Sequence, residues 1–334
     1  MKDPFGRSIE YLRVSVTDRC NLRCGYCMPQ EDMPMLPHTE ILQYEEIERL
    51  VGIMAGLGVK RVRLTGGEPL MRKDIERVAA GIKRVKGIEF LGLTTNAVLL
   101  ADKAETLLEA GIDGVNISLD TTSLERYELF TRRNTFAQAM QGLQKALSLP
   151  FASVKINCVL SPQSLPADWL GVIKLAQTLP ADVRLIEWMP MTTDTQGAAV
   201  QAPEALRTIE EHFGTLTPAK QTAPAGPAEY WTLPGFLGRV GVIHAMSKCF
   251  CTSCNRVRLT AVGDLKLCLF YDEGIALKPL LRGGMANEEI ASAITQAVAR
   301  KPLRHQGKKM GAAGAAASAT SLIDRPCGMY RVGG

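Results

Sequence analysis

Histidine is scarce in this chain, with four residues (His38, His212, His244 and His305) and no pair at metal-ligand spacing. Any metal bound here must be held mainly by thiolate. Aromatic residues amount to 6%, and they form none of the stacking runs along which single-stranded nucleic acid is laid out. No uninterrupted apolar stretch reaches the roughly 18 residues of a membrane span, so neither membrane nor nucleic acid is an expected partner. The opening Met-Lys-Asp-Pro-Phe-Gly-Arg lacks the apolar segment of a secretion signal, which makes the cytoplasm the expected location. A strong excess of one charge is missing too. Lys and Arg number 39 against 34 Asp and Glu, and the net +5 favours an anionic small molecule rather than a nucleic-acid surface.

What is there is apolar bulk and cysteine. With 334 residues and 46% hydrophobic content, the chain suits one large domain or two ordinary ones, and disorder, collagen and coiled coil are excluded. Nine cysteines, an odd number in a chain too large to need staples, argue for reduced thiols rather than a disulfide framework. Six of them form two tight groups, Cys20, Cys24, Cys27 and Cys251, Cys254, Cys268; Cys158, Cys249 and Cys327 stand apart.

Short β-rich runs at Tyr11–Val16, Lys60–Leu64, Ile88–Leu93, Gly114–Ser118, Val154–Leu160 and Val183–Trp188 alternate with amphipathic stretches near 44–57, 72–85, 101–110, 134–148 and 166–178. This rhythm predicts an α/β fold with a parallel sheet and right-handed crossovers. Six units fall short of the eight of a full barrel, so the expectation is a partial (β/α)6 TIM-like barrel with one open side. After Met189 the rhythm changes, which divides the chain into a barrel core (1–189) and a C-terminal region (190–334). That region has helical candidates at Pro203–Phe213 and Asn287–Ala299, extended pieces near Gly238–His244 and Arg256–Leu269, and a flexible Gly-Gly tail.

In such a barrel, chemistry belongs on the loops at the carboxyl ends of the strands. The first strand feeds Thr17-Asp18-Arg19-Cys20-Asn21-Leu22-Arg23-Cys24-Gly25-Tyr26-Cys27, a Cys-x3-Cys-x2-Cys loop. Three thiolates neither close a tetrahedral zinc site nor fill a four-iron cluster. They leave one position open, where a metal does chemistry; half of a zinc ribbon completed from elsewhere is the structural alternative. The motif resembles that of the radical S-adenosylmethionine enzymes. The resemblance implies a [4Fe–4S] cluster whose fourth iron chelates the amino and carboxylate groups of S-adenosylmethionine. The second strand ends in Thr65-Gly66-Gly67-Glu68-Pro69, where glycine permits close approach to the backbone; in that family this segment meets the amino group of S-adenosylmethionine. Later strand ends are polar as well: Thr94-Thr95-Asn96, Ser118-Leu119-Asp120, Lys155 with Asn157, and Glu187-Trp188-Met189. Singly, each could be a helix cap.

The second group, Phe250-Cys251-Thr252-Ser253-Cys254-Asn255-Arg256-Val257-Arg258-Leu259 with Cys268 beyond, again offers three thiolates. A zinc knuckle would need Cys249 as fourth ligand; a second cluster with its own open iron would not. Together the motifs are similar, nearly end to end, to the GTP-cyclising family of molybdenum cofactor biosynthesis within the radical S-adenosylmethionine enzymes. That resemblance implies a second [4Fe–4S] cluster on Cys251, Cys254 and Cys268 beside the first on Cys20, Cys24 and Cys27. It implies S-adenosylmethionine contacts at Tyr26, Gly67, Ser118 and Met189. GTP contacts fall at Arg13, Arg63, Thr94, Lys155, Arg256 and Arg258, with Arg61 and Arg184 beside them, and Arg13, Arg256 and Arg258 are the residues it makes catalytic. Several arginines suit a triphosphate, since each offers a bidentate fork; Arg13, Arg63 and Arg184 sit inside otherwise apolar strands. An external electron donor, the next enzyme of the pathway (cyclic pyranopterin monophosphate synthase) and a homodimer belong to the same picture. So does a Gly333-Gly334 tail that threads into the active site, although here Ala-rich Gly311–Thr320 and Cys327 depart from the family's pattern. Two other classes use the same cysteines. A radical enzyme with an auxiliary cluster that modifies a peptide would ignore GTP, and Arg-x-Arg beside the second group speaks against it. A zinc module reading nucleic acid conflicts with the modest charge and the three-ligand groups.

Overall fold

The computed structural model describes residues 1–28, 35–190, 198–220, 226–271 and 273–305. Six β/α units come first. Strands β1 (Tyr11–Ser15), β2 (Arg61–Thr65), β3 (Phe90–Thr95), β4 (Gly114–Ser118), β5 (Ser153–Leu160) and β6 (Asp182–Glu187) alternate with helices α1 (Tyr44–Gly56), α2 (Ile75–Lys83), α3 (Leu100–Glu109), α4 (Leu124–Thr131), α5 (Phe136–Ser148) and α6 (Pro166–Thr178). Neighbouring strands pair in parallel in chain order, as a right-handed β/α succession requires. The α/β partial barrel expected from the periodicity is present.

The strands are built on a period of two. In β1, Leu12 and Val14 are buried in the main hydrophobic core, while Tyr11 and Arg13 alternate with them on the other face. In β2, Val62 and Leu64 join the core and Arg61 and Arg63 alternate. The apolar half of each strand packs outward against the helices and the polar half lines the barrel interior, so the core and the site are separated by strand alternation alone.

Beyond β6 the chain forms α7 (Ala202–Phe213), β7 (Thr217–Ala219), β8 (Glu229–Thr232), β9 (Val240–Ile243), β10 (Arg256–Leu259), β11 (Asp264–Lys266), β12 (Gly274–Ala276), α8 (Lys278–Arg282) and α9 (Asn287–Val298). These strands do not form a separate sheet. β10 pairs in parallel with β1, and β9 pairs in parallel with β6. The resulting order is β12-β11-β10-β1-β2-β3-β4-β5-β6-β9-β8-β7. Eight consecutive strands, β10 through β9, are thus parallel, and the six-unit count understated the array. Among the described residues β9 and β10 do not pair with each other, which leaves the side open.

The periodicity also missed α4. Its Leu124 and Leu129 are exposed, so the apolar stripe is broken. The signal that marks it is a capping residue, Ser123, whose side chain accepts from the Arg126 amide. No helix of the described residues is long and apolar enough to cross a membrane.

Candidate active site

The cysteine loop leaves β1 and returns over the end of β2. Gly67 N donates to Thr17 O at 2.8 Å and Glu68 N to Arg19 O at 2.7 Å. A Cβ on Gly67 would lie 2.2 Å from the Arg19 carbonyl oxygen, and one on Gly66 would lie 2.7 Å from that of Thr17. The two glycines are therefore needed because the root of the cysteine loop presses on them, a stronger demand than an open face for a ligand. Glu68 is buried and its carboxylate ties the ends of β2 and β3 together: it accepts from Leu70 N (3.0 Å), Thr95 Oγ1 (2.7 Å) and Asn96 N (2.7 Å). Burial drives its pKa up to about 7 against the pull of those donors. Tyr26, between Cys24 and Cys27, donates to Asp120 at the end of β4 (2.8 Å) and meets Trp188 edge-on at 5.9 Å.

These pieces enclose one cavity. Cys20, Cys24 and Cys27 line it together with Tyr26, Gly67, Ser118 and Met189, the four residues expected to meet S-adenosylmethionine, and with Thr94. Sequence reasoning named each of them but could not bring Glu68, Asp120 and Trp188 to the same wall.

A second cavity adjoins the first, sharing Asn157 and Ile186. Arg13, Arg61, Arg63, Lys155, Arg184 and Arg256 all line it. Arg258 is not among its lining residues, but it stands in register with Arg13, which in turn faces Arg63 across β1 and β2. Tyr11 and Tyr230, which sequence reasoning passed over, line it too. Tyr11 accepts from Arg63 Nε at 2.7 Å, and Lys155 lies over the Tyr230 ring at 5.6 Å. Neither tyrosine carried a motif; only the interior phase of β1 pointed at Tyr11.

The electrostatics here are strained in one direction. Burial, then repulsion from Arg258, pushes Arg13 well below the usual guanidinium range. Burial and Arg256 lower Arg258 to about 10, and burial and Arg184 lower Lys155 to about 8. Burial alone would raise the Tyr11 phenol, but Arg63, Arg13 and Arg256 outweigh it and bring it to about 8. No carboxylate lines the cavity among the described residues; Asp182 reaches Lys155 only at 3.8 Å. Cations gathered in a low-dielectric cleft whose described lining carries no carboxylate suit a polyanion. Thr94 Oγ1, buried on the first cavity and without a hydrogen-bond partner, is a further open polar atom.

The donor sets fit clusters better than single ions. A tetrahedral zinc with Zn–S near 2.3 Å holds its sulfurs roughly 3.8 Å apart. Among the described residues, only Cys249, Cys251 and His305 bring three ligand atoms mutually within 4.8 Å. Both expected cysteine trios are spread more widely, as ligands on different irons are. Cys20 already receives the Leu22 amide at 3.4 Å and Asn96 Nδ2 at 3.9 Å, donors of the kind that tune cluster sulfur. Burial raises Cys20 to about 11, Cys27 to about 12 and Cys24 well above the usual thiol value. Metal must displace their protons. In the second group burial would raise Cys254, but Lys301 and Arg256 pull it below the usual thiol value. Lys301 Nζ donates to Arg256 O (2.9 Å) and to Leu267 O, joining the two cysteine-bearing segments. Cys327, the Ala-rich stretch 311–320 and the Gly333-Gly334 tail lie outside the described residues.

Comparison with known proteins agrees with this geometry. Residues 14–176 match the Radical SAM superfamily, and residues 181–307 match Molybdenum Cofactor Synthesis C. A GTP 3′,8-cyclase of Pelotomaculum thermopropionicum is 46% identical over 308 residues, 91% of this chain and 95% of that protein. A second, from Moorella thermoacetica, is 42% identical over 306 residues, covering 91% and 95%. Molybdenum cofactor biosynthesis protein 1 of Bos taurus is 40% identical over 309 residues, 92% of this chain and 49% of that protein, so the chain spans about half the length of the bovine relative. Among solved structures, tagged anSMEcpe with bound AdoMet aligns with a TM-score of 0.49 and 18% identity, over 61% of this chain and 59% of that one. With near-complete coverage of relatives above 40% identity, the chain belongs to the GTP 3′,8-cyclase family of the Radical SAM superfamily.

Proposed function

We propose that this chain converts GTP into (8S)-3′,8-cyclo-7,8-dihydroguanosine 5′-triphosphate, the first step of molybdenum cofactor biosynthesis. The observation that carries the reading is the pair of adjoining cavities, one with three cysteines in its wall and the other with five arginines. Cys20, Cys24 and Cys27 would hold one [4Fe–4S] cluster, and Cys251, Cys254 and Cys268 a second, 1–189 supplying the radical core and 190–334 the second cluster and tail. When bound and reduced, the first cluster would supply the electron that splits S-adenosylmethionine into methionine and a 5′-deoxyadenosyl radical, which would take hydrogen from C3′ of GTP; C3′ would join C8, and one further electron and a proton would complete the dihydro product.

The chain's own residues bind, orient and enclose. Arg13, Arg61, Arg63, Arg184 and Arg256 present forks to the phosphates, and Lys155 adds a point charge. Arg63 is held by Tyr11 through Nε and by Leu93 O through Nη1 at 2.8 Å, so its remaining edge is aimed before substrate arrives. Arg256 lies over the Tyr11 and Phe250 rings at 5.7 and 5.0 Å, which fixes a cation beside Cys254. Asn157 and Ile186, shared by both cavities, stand where the two bound molecules meet. Tyr26, Gly67, Ser118 and Met189 position S-adenosylmethionine on the other side. An external donor supplies electrons, cyclic pyranopterin monophosphate synthase takes the product, and the working unit is a cytoplasmic homodimer.

The test is an anaerobic incubation of the reconstituted chain with reductant, S-adenosylmethionine and GTP deuterated at C3′. Deuterium in 5′-deoxyadenosine and formation of the cyclised nucleotide are expected. Cys24→Ala should abolish cleavage of S-adenosylmethionine, whereas Cys254→Ala should retain some uncoupled cleavage and lose cyclisation. Normal product from Cys254→Ala would remove the second cluster from the reading.

A further inference from the structure

Cys249 has no part in the reading above, yet its sulfur, that of Cys251 and a ring nitrogen of His305 lie mutually within 4.8 Å. All three side chains are half-buried. His305 is held in place: its Nε2 lies 3.0 Å from Ala245 O, and its ring stacks on Phe270 at 4.3 Å. An imidazole whose Nε2–H is given to a carbonyl presents an unprotonated Nδ1, the arrangement that orients metal-binding histidines. Two thiolates and one imidazole suit a borderline-soft, tetrahedral ion and do not suit magnesium or calcium. The spacing is that of ligands on one ion, unlike that of Cys251, Cys254 and Cys268.

We propose that Cys249, Cys251 and His305 form a site for a single zinc ion, and that this ion and the second iron–sulfur cluster exclude one another because both use Cys251. The zinc site stands on its own geometry; the competition rests on the reading that Cys251 holds the cluster. Three protein ligands leave a fourth position to water, so the ion is exchangeable and acts on a chain that has not yet received its cluster.

The experiment uses the full-length chain carrying Cys20→Ser, Cys24→Ser and Cys27→Ser, which removes the first cysteine group, freed of iron by chelation. Cobalt(II) serves as the spectroscopic stand-in for zinc. One cobalt per chain is expected, with thiolate-to-cobalt charge-transfer intensity for two sulfurs. Cys249→Ser and His305→Gln should each weaken binding by more than the roughly 10–100-fold that loss of an outer-shell partner costs. Reconstitution of the zinc-free parent should then load about four irons, the content of one [4Fe–4S] cluster. Zinc pre-loading should block this in the parent but not in Cys249→Ser, whose iron uptake without zinc is unchanged. Cobalt binding equal in parent and both variants, or a spectrum of three or four thiolates, would overturn the site. Iron uptake undiminished by zinc would overturn the competition. If the zinc-free parent took up no iron while cobalt bound as described, the second-cluster reading would fail and the zinc site would stand.

Discussion

Lys155 and Tyr11 face one another's chemistry across the arginine cavity, and both titrate close to neutrality. Lys155 is lowered to about 8 by burial first, then by Arg184, Arg239 and Arg63 against the opposing pull of Asp182. Bound phosphate favours its charged form, so GTP binding takes up a proton above pH 8. Ionisation of Tyr11, also near 8, adds a negative charge to the same cleft. Both effects have one sign: affinity for GTP is highest below pH 8 and falls as pH rises, by up to about tenfold per unit for each group until the complex itself titrates. Calorimetric titration with GTP at pH 7, 8 and 9 should show that fall. Lys155→Met should lower affinity at pH 7 by about 1.5–3 kcal/mol and flatten the profile, and Tyr11→Phe should flatten the remainder. A profile unchanged by either substitution would contradict the charge arrangement described. The arginines themselves were legible in the sequence, because a cation inside an apolar strand is conspicuous. Tyr11 was not: a tyrosine in a strand is ordinary, and its acidity exists only where three guanidinium groups converge.

The cysteine loop and the turn after β2 behave as one element. Replacing Gly67 by alanine would set a methyl carbon against the Arg19 carbonyl, and that contact is backbone on backbone, with no flexible side chain to give way. Gly67→Ala is expected to keep the fold by circular dichroism but to halve the iron content on reconstitution, the first cluster being lost. Full iron loading would show that the loop can shift without cost. The Gly-Gly pair was readable as a place of close approach, yet what approaches could only be learned from the fold. Elements were legible where their apolar pattern was regular, as in β2, where Val62 and Leu64 alternate with Arg61 and Arg63. Helix α4 escaped because Leu124 and Leu129 face outward, and the short strands β7, β8 and β12 are too brief for any period to register.

At the scale of the molecule, β10 and β9 cover the two edges of the six-unit sheet by pairing with β1 and β6. Cutting the chain at 189 would uncover both strands as edges, each a row of unpaired backbone donors and acceptors. It would also remove Arg256 and Arg258 from beside Arg13. A 1–189 fragment is therefore expected to aggregate and, in any soluble fraction, to show no measurable GTP binding; sedimentation and equilibrium dialysis would check both. A monomeric fragment binding GTP like the whole chain would mean that the flanking strands are dispensable.

By itself the sequence determined the β/α rhythm, the grouping of six cysteines into two trios, and the cations embedded in strands. Each is a local matter of periodicity, ligand spacing or a charge among apolar neighbours. Only the tertiary structure decided that the C-terminal strands join the same sheet on both sides, because strand pairing between residues more than 200 apart, as in Arg13 with Arg258, leaves no local trace. It alone set the two cavities side by side, and it alone brought Cys249 and His305 to Cys251. Burial supplied the rest: the same arginines on an open surface would be solvated charges, whereas in a cleft whose described lining carries no carboxylate they suit the triphosphate proposed for them.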